Sequence, residues 1–170
     1  SAFDGARWTT YTARNRGLAS NTVASIAADS RGTLWFGTRN GGVSSFADQT
    51  WTTYNRDNSG LARGPVQAIA EDSNGTMWFG TRYGGVSAFD GQSWATYTRR
   101  NSGLADNTVY TIIVDTLGTL WFGTSGGIST FDGRTWTTYT RRNRGMMGDH
   151  VLAIAEDSQG TLWFGTRAGG

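Results

Sequence analysis

The chain has 170 residues and a formal net charge of +2, and it contains 25 glycines, one proline and no cysteine. This length suits a single domain, and the aromatic content of 13% supplies apolar bulk for a core. The absence of cysteine excludes disulfides and thiolate metal sites. No stretch approaches the roughly 20 apolar residues of a membrane-spanning helix, and no basic segment followed by an apolar run predicts a signal peptide.

The sequence repeats itself four times. The string DSRGTLWFGT at 29–38 returns as DSNGTMWFGT at 72–81, DTLGTLWFGT at 115–124 and DSQGTLWFGT at 157–166, in steps of 43, 43 and 42 residues. A period near 40 residues is typical of a solenoid, propeller or array, so we expect any site to combine loops from several repeats. A second tryptophan lies 27 residues before the tryptophan of each string, which accounts for all eight: Trp8 and Trp35, Trp51 and Trp78, Trp94 and Trp121, Trp136 and Trp163.

Each whole repeat predicts four short strands, which we call A to D. In the first, apolar or β-branched runs at 22–29, 33–38, 43–46 and 51–54 alternate with turn-forming Gly, Asn and Asp clusters, as in hairpin-linked strands. No apolar spacing of 3.6 residues is sustained, which disfavours a helix. The same pattern places later strands at 65–72, 76–81, 86–90 and 94–97, and at 108–115, 119–124, 128–132 and 136–139.

The two ends of the chain supply complementary halves of a fourth repeat. Residues 150–157 and 161–166 match strands A and B, whereas 1–4 and 8–11 match strands C and D. Four antiparallel strands in a repeat of this length form a propeller blade. The sequence therefore predicts an all-β fold, a β-propeller of four-stranded antiparallel blades with four blade equivalents per chain and one split blade. The whole chain, 1–170, is one propeller segment, with blade equivalents at 22–54, 65–97, 108–139 and, for the split blade, 150–166 plus 1–11.

The repeat also resembles a known family. The pattern I-A-E-D-S-x-G-T-L-W-F-G-T, then G-G-V-S-x-F-D-G, then W-T-T-Y is similar to the two-component regulator propeller repeat, and the resemblance covers essentially the whole chain. In that family the repeats form periplasmic or extracellular sensor propellers, often in front of histidine kinases. The resemblance implies a ligand-binding sensor region in such a compartment, without naming a ligand. Sensors of this kind carry more blades, so four repeats indicate a fragment, a circular permutant or an engineered symmetric piece.

The charges separate when they are sorted by loop. All 15 basic residues are arginine. In a propeller, the D–A and B–C loops share one face and receive 12 arginines against 3 aspartates; the A–B and C–D turns share the other and receive 3 arginines against 10 carboxylates. We predict that the two signs lie on opposite faces of the ring. The predicted ligand-binding residues are Arg14, Arg39, Arg56, Arg82, Arg99, Arg100, Arg141, Arg142 and Arg167, and Arg16, Arg63 and Arg144 complete the twelve.

Two interpretations of these arginines stay open. A guanidinium pairs in a planar, bidentate way with carboxylate, sulfate or phosphate, which predicts a binder of an anionic ligand such as an acidic or sulfated saccharide. Charged surface runs are also commonly a solvated rim without a ligand. Titration of such saccharides at two salt concentrations separates the two interpretations, because attraction by the general field is abolished by salt.

The sequence predicts no enzyme and no metal site. His150 is the only histidine, whereas a metal site needs several His or carboxylate ligands. No nucleophile elbow, catalytic pair or triad is present. The Gly-Gly pairs precede strands and not helices, which indicates turns and not phosphate-binding loops. We expect no catalytic residue, no metal and no cofactor, and no specific nucleic-acid or membrane partner.

The expected partner is a second copy of the chain. Unpaired half-blades expose sheet edges and apolar faces. Four blades in one ring need about 90° between neighbours and eight need about 45°, within the usual range of four to eight blades. We predict a homodimer that forms one eight-bladed ring through the split blade, since two-fold assembly is the commonest oligomer symmetry. A four-bladed monomer closed on itself and larger rings are the alternatives.

Overall fold

The computed structural model of the chain describes residues 1–15, 17–144, 146 and 148–167, apart from the side chain of Arg144. Short strands follow one another through this part of the chain, with one short helix near its end. The elements are β1 (Ala2–Phe3), β2 (Trp8–Thr9), β3 (Val23–Ala28), β4 (Leu34–Thr38), β5 (Val43–Ala47), β6 (Thr50–Tyr54), β7 (Val66–Glu71), β8 (Met77–Thr81), β9 (Val86–Phe89), β10 (Trp94–Tyr97), β11 (Val109–Val114), β12 (Leu120–Thr124), β13 (Gly127–Phe131), β14 (Trp136–Tyr139), α1 (Arg141–Arg144), β15 (Val151–Glu156) and β16 (Leu162–Thr166).

The strands form three whole blades and two halves. β3 to β6 make the first blade, β7 to β10 the second and β11 to β14 the third, each a four-stranded antiparallel sheet in chain order. β1 and β2 pair as the N-terminal half-blade, and β15 and β16 pair as the C-terminal half-blade, in two separate sheets. The predicted all-β propeller fold of four blade equivalents is therefore confirmed.

The first strand of each blade faces its counterpart in the next. β3 packs beside β7, β7 beside β11, and β11 beside β15, so these strands form a continuous inner row. Each carries a register shift near its start, as between Val66 and Ala68 on β7. Such bulges increase the local twist of a strand, and their recurrence at one position shows that the repeats fold alike.

The hydrophobic core lies between neighbouring blades. A tryptophan on the second strand of one blade meets a phenylalanine on the second strand of the next. Trp163 differs, with 64% of its surface exposed, because no blade packs against it within the described residues. The ring centroids are 5.5 Å apart for Trp35 and Phe79, 5.8 Å for Trp78 and Phe122, and 5.7 Å for Trp121 and Phe164.

A glycine two residues after each of these tryptophans lets the blades approach closely. A Cβ atom on Gly37 would lie 2.8 Å from Val66 Cγ1, and one on Gly80 would lie 2.8 Å from Val109 Cγ1. These distances are too short for any side chain, so the junction itself requires glycine. Gly165 occupies the same repeat position, but a Cβ there would find no atom of another residue nearer than 3.6 Å.

Hydrogen bonds from the A–B turns join some of the blades. The Ser30 backbone N–H and hydroxyl donate to the two carboxylate oxygens of Glu71, at 2.6 and 2.7 Å. Thr116 donates to Glu156 in the same way, at 2.8 and 2.7 Å. On the third blade the residue in the position of Glu71 is Val114. The junction between the second and third blades therefore has no such carboxylate at its A–B turn.

Two details differ from the sequence expectation. The loop after β14 contains the four-residue helix α1, where only a loop was expected. The Thr140 backbone N–H, just before the helix, donates to the Asn143 side chain within it at 2.6 Å. β1 and β2 are shorter than the predicted 1–4 and 8–11, because only two strands pair in that sheet. No helix in the described residues is long and apolar enough to cross a membrane.

We predict that Trp78→Ala lowers the free energy of unfolding more than Trp51→Ala. Trp78 is 3% exposed and its ring contacts Phe122 and Phe131 of the third blade, whereas Trp51 on β6 is only partly buried. Truncation of a buried aromatic costs roughly 3–5 kcal/mol, and partly exposed positions lose less. Urea unfolding of both variants measures the difference. Equal shifts of the two midpoints would contradict the interblade role of Trp78.

Candidate functional site

The loops lie at two opposite ends of the blades. Because consecutive strands run antiparallel, the B–C loops and the D–A loops share one end, which we call the arginine end. The A–B and C–D turns share the other, which we call the carboxylate end. Arg39 in a B–C loop and Arg56 in a D–A loop line one cleft together, whereas Asp29 and Glu71 line a separate cleft with Asp90.

The aspartates of the A–B turns hold the tryptophans of the core. In each repeat the indole N–H donates to one carboxylate oxygen, and turn N–H groups donate to the other, as Arg31 and Thr33 do to Asp29 at 3.0 and 2.8 Å. Aspartate commonly bonds turn N–H groups in this way, whereas the indole bond is an additional tie between residues six apart. The indole-to-carboxylate distances are 2.9 Å for Trp35 and Asp29, 2.8 Å for Trp78 and Asp72, 2.7 Å for Trp121 and Asp115, and 2.8 Å for Trp163 and Asp157.

The other acids at the carboxylate end are also occupied. Asp4, Asp90 and Asp132 each accept two backbone N–H groups within their C–D turns. Glu71 and Glu156 accept the interblade bonds described above. Within the described residues only Asp48 at this end has a carboxylate with no hydrogen bond. Nearly every acid here is therefore committed to holding a turn or a junction in place.

These hydrogen bonds shift the acidity of the carboxyls. Burial raises the pKa of Asp29, but the bonds from the Trp35 indole and from the Thr33 and Arg31 backbone outweigh that effect, so its pKa lies below the usual 3.8. The Trp163 indole and the backbone N–H of Thr161 lower the pKa of Asp157 in the same way. Backbone N–H groups lower the pKa values of Asp4, Asp90 and Asp132.

The arginine side chains at the arginine end, in contrast, make few contacts with other protein groups in the described residues. In the part of the chain that the structure describes, no arginine side chain donates a hydrogen bond to a protein oxygen within 3.5 Å. The one ion pair there joins Arg56 and Asp57 at 3.8 Å, with both side chains mostly in solvent. Arg82 also lies over the ring of Tyr83. The guanidinium groups are therefore available to a ligand, and the candidate site lies at the arginine end.

The nine predicted arginines all lie in loops at this end, and all are exposed. They are distributed over successive blade junctions, so the structure does not bring all of them into one site. Arg39 and Arg56 do come together, at the junction of the first and second blades. Of the other arginines assigned to this face, Arg16 and the side chain of Arg144 lie outside the described residues.

The cleft at that junction has a volume of about 370 Å³. The B–C loop of the first blade and the D–A loop that leads to the second blade form its walls. Arg63 also lines it, although it was not among the nine predicted residues. The signal was available, since Arg63-Gly64-Pro65 departs from the Asp106-Asn107-Thr108 of the next repeat. The lining residues are Arg39, Asn40, Gly41, Gly42, Asn55, Arg56, Asp57, Leu61, Ala62, Arg63 and Gly64.

The described residues contain no group of three or more His, Cys, Asp or Glu side chains placed to hold a metal ion. His150 is exposed at the start of β15, where its ring lies 6.4 Å from that of Tyr110. The chemistry that this arrangement offers is anion binding by arginine side chains.

Radially arranged four-stranded antiparallel blades, with their core between blades and their variable loops at one end, define this chain as a β-propeller. The model of the two component regulator propeller family matches it four times, at 17–40, 60–83, 103–126 and 145–168. The chain belongs to that family, which confirms the resemblance seen in the sequence. No curated protein sequence matches the chain.

Solved structures show the same fold. The extracellular domain of a hybrid two component system from B. thetaiotaomicron is 27% identical with a TM-score of 0.81, covering 94% of this chain and 22% of that one. The extracellular domain of a one component system from the same organism is 21% identical with a TM-score of 0.74, covering 93% and 22%. A catalytically inactive virginiamycin B lyase from Staphylococcus aureus, solved with quinupristin, is 19% identical with a TM-score of 0.64, covering 92% and 55%. The chain thus spans about a fifth of the two sensor domains.

We predict that Asp29→Asn makes the protein less stable near neutral pH and reduces its loss of stability in acid. Because the folded-state pKa of Asp29 lies below its unfolded value of 3.8, its contribution is present above that pH and disappears as the pH falls below it. Urea unfolding between about pH 6 and pH 2 measures the effect. Asp48→Asn is the matched control, and an identical pH profile for both variants would contradict the role of Asp29.

Proposed function

We propose that this chain is a non-enzymatic propeller module of a periplasmic or extracellular sensor region, and that it closes an eight-bladed ring with a second copy of itself. One observation carries the proposal. The two open faces of the chain present the same side chains that pack against each other at its internal junctions. A second copy supplies the missing side of both faces.

The first open face belongs to the C-terminal half-blade. Trp163 is 64% exposed there, while Trp35 and Trp78 at the same repeat position are 5% and 3% exposed. Gly165 keeps the glycine that the internal junctions need, without a neighbour to require it. This face has the composition of a buried junction.

The second open face lies at the other end of the arc. Ile26 on the first blade is 64% exposed, whereas Ile112 at the same position on the third blade is 6% exposed, because the second blade covers it. The N-terminal half-blade exposes Phe3 and Trp8. Exposed apolar surface of this kind marks an interaction site.

The internal blades define how the two faces would meet. On the second blade, Met77 pairs with Phe89 and Trp78 with Ala88. By the same register β16 would pair with β1 of the second copy, placing Leu162 beside its Phe3. The indole of Trp163 would then lie against the first blade of the second copy, as Trp35 lies against the second blade within one chain.

Closure within one chain is the less favourable arrangement. The two half-blades of one chain lie in separate sheets, and four blades would have to turn by about 90° at each junction, against about 45° in a ring of eight. In a longer chain, adjoining blades would pack against the same two faces. For the chain of 170 residues, the mass in solution distinguishes a closed monomer from a dimer.

We predict that light scattering gives twice the mass of the 18.4 kDa chain, independent of concentration over the micromolar range. Pairing of both split blades at once makes the assembly closed, so larger species should not accumulate. A stable mass of one chain would contradict the dimer, and a mass of three chains would indicate a twelve-bladed ring.

We predict that Trp163→Ser abolishes the dimer while each chain stays folded. The side chain is 64% exposed in the single chain, where its indole N–H makes one hydrogen bond, to Asp157 in the A–B turn, so its loss removes mainly contacts between copies. Leu117→Ser is the matched control, because Leu117 is 90% exposed in an A–B turn away from both open faces. Loss of the dimer in both variants, or in neither, would contradict the proposed interface.

A second candidate function is the binding of an anionic ligand at the arginine end. The observation that favours it is the contrast between the two ends, since the acids are hydrogen-bonded within the protein and the guanidiniums are not. Carboxylate, sulfate and phosphate groups all suit the guanidinium fork. An acidic or sulfated saccharide is the ligand class we propose.

We predict saturable binding of uronic-acid or sulfated oligosaccharides at a defined stoichiometry. Calorimetric titration at about 50 and 150 mM salt measures it, since contacts through the general field weaken steeply over this range. Binding that disappears at the higher salt would indicate field attraction alone and would contradict a defined site.

A further inference from the structure

We infer that the cleft between the first and second blades is a specific site for a small sugar acid, in which one carboxylate is accompanied by neighbouring hydroxyl groups. The inference rests on the proposed anion binding at the arginine end, and it assigns that binding to one of the blade junctions. Three local differences carry it: one separates this junction from the other D–A loops, and two separate it from the next junction.

The first difference is a backbone donor without an acceptor. In the other D–A loops a side-chain oxygen accepts the backbone N–H of the residue eight positions earlier. Here the acceptor position is Gly64, so the Arg56 N–H has no hydrogen bond within the described residues. The three pairs are Ala13 to Asn21 at 2.8 Å, Arg99 to Asn107 at 2.8 Å and Arg141 to Asp149 at 2.7 Å.

The second difference is a bond between the two walls that the next junction has and this one lacks. At the next junction, the Gly85 N–H donates to the Asn107 backbone oxygen at 2.9 Å and ties the B–C loop to the D–A loop. The corresponding Gly42 N–H makes no such bond to any described residue. The two loops are therefore not closed against each other, and both free N–H groups belong to residues that line the cleft.

The third difference is a reversal of charge. The residue in the position of Arg63 at the next junction is Asp106, whose carboxylate accepts the Ser125 hydroxyl at 2.6 Å and the Thr108 N–H at 2.8 Å. The Asp106 carboxylate is therefore already hydrogen-bonded within the protein. Arg63 instead offers hydrogen-bond donors, and it lines the cleft together with Arg39 and Arg56.

These groups fit a ligand with both charge and hydroxyls. Three guanidiniums and two free backbone N–H groups suit one carboxylate, because charge-assisted hydrogen bonds are the strong ones. Asp57 and Asn40 at the rim of the same cleft can accept hydrogen bonds from hydroxyl groups. A volume of about 370 Å³ is in the range of small-molecule sites.

The test is calorimetric titration of the whole chain with glucuronate, and with glucose as the uncharged probe. We expect glucuronate to bind at one site per chain and glucose not to bind. Arg63→Gln should weaken glucuronate binding about tenfold or more, as expected for the loss of a charged hydrogen bond. Arg134→Gln is the matched control, since it removes an exposed arginine from the carboxylate end, and its affinity should be unchanged.

A second variant tests the free donor without changing the charge. Gly64→Asn restores the acceptor found in the other loops and should abolish binding. Gly64 has a φ of +106° and adjoins Tyr83, so circular dichroism must confirm the fold of this variant; where it fails to fold, the two arginine variants decide. Arg99→Gln, which alters a predicted binding arginine outside the cleft, separates the two proposals: weakening equal to that of Arg63→Gln would overturn the cleft and leave anion binding at the arginine end standing. Absence of binding by the unaltered chain to glucuronate and to sulfated oligosaccharides would overturn both.

Discussion

The stacking of tryptophan on phenylalanine across each blade junction is the contact on which the rest of the structure depends. No single blade has a core of its own, because its apolar side chains point toward its neighbours. The indole also reaches a turn aspartate through its N–H, so one side chain fixes both the packing between blades and the turn within a blade. The stability of each blade then depends on its nearest neighbours, as in other repeat proteins. A terminal blade without a neighbour leaves apolar side chains exposed to solvent.

The charged side chains at the two ends of the blades have different surroundings. At the carboxylate end, nearly all the acids accept hydrogen bonds from backbone or indole N–H groups, and these bonds hold the turns in one conformation. Arginines at the other end are left in solvent, on loops that vary between repeats. Because loops tolerate change better than the blades that carry them, binding properties can differ from junction to junction while the blade stays the same.

The repeat made much of the fold predictable from the sequence. The period of Trp35, Trp78 and Trp121 predicted the blades and the split one, since one local pattern recurs in one environment. The indole bonds to Asp29 and its counterparts were not predicted, because they link residues six apart whose side-chain directions depend on the turn. The cleft was predicted only in part. Its distinguishing residues, Arg63 and Gly64, are departures from the repeat, and the shared pattern of the repeats does not contain them.

The alternation of Glu71, Val114 and Glu156 along the inner strands has a mechanical consequence. The first and second blades are tied by directional hydrogen bonds of 2.6 and 2.7 Å, as are the third blade and the C-terminal half-blade, at 2.8 and 2.7 Å. The central junction has no carboxylate of this kind, and its hydrogen bonds lie at the arginine end, from the Gly85 N–H to the Asn107 oxygen and from the Thr108 hydroxyl to the Arg82 oxygen. At the carboxylate end the directional bonds therefore join the blades in two groups, with no such bond between the second and third blades in the described residues. A small rotation that separates these two blades at the carboxylate end would break no hydrogen bond there, whereas the same rotation at the other two junctions would.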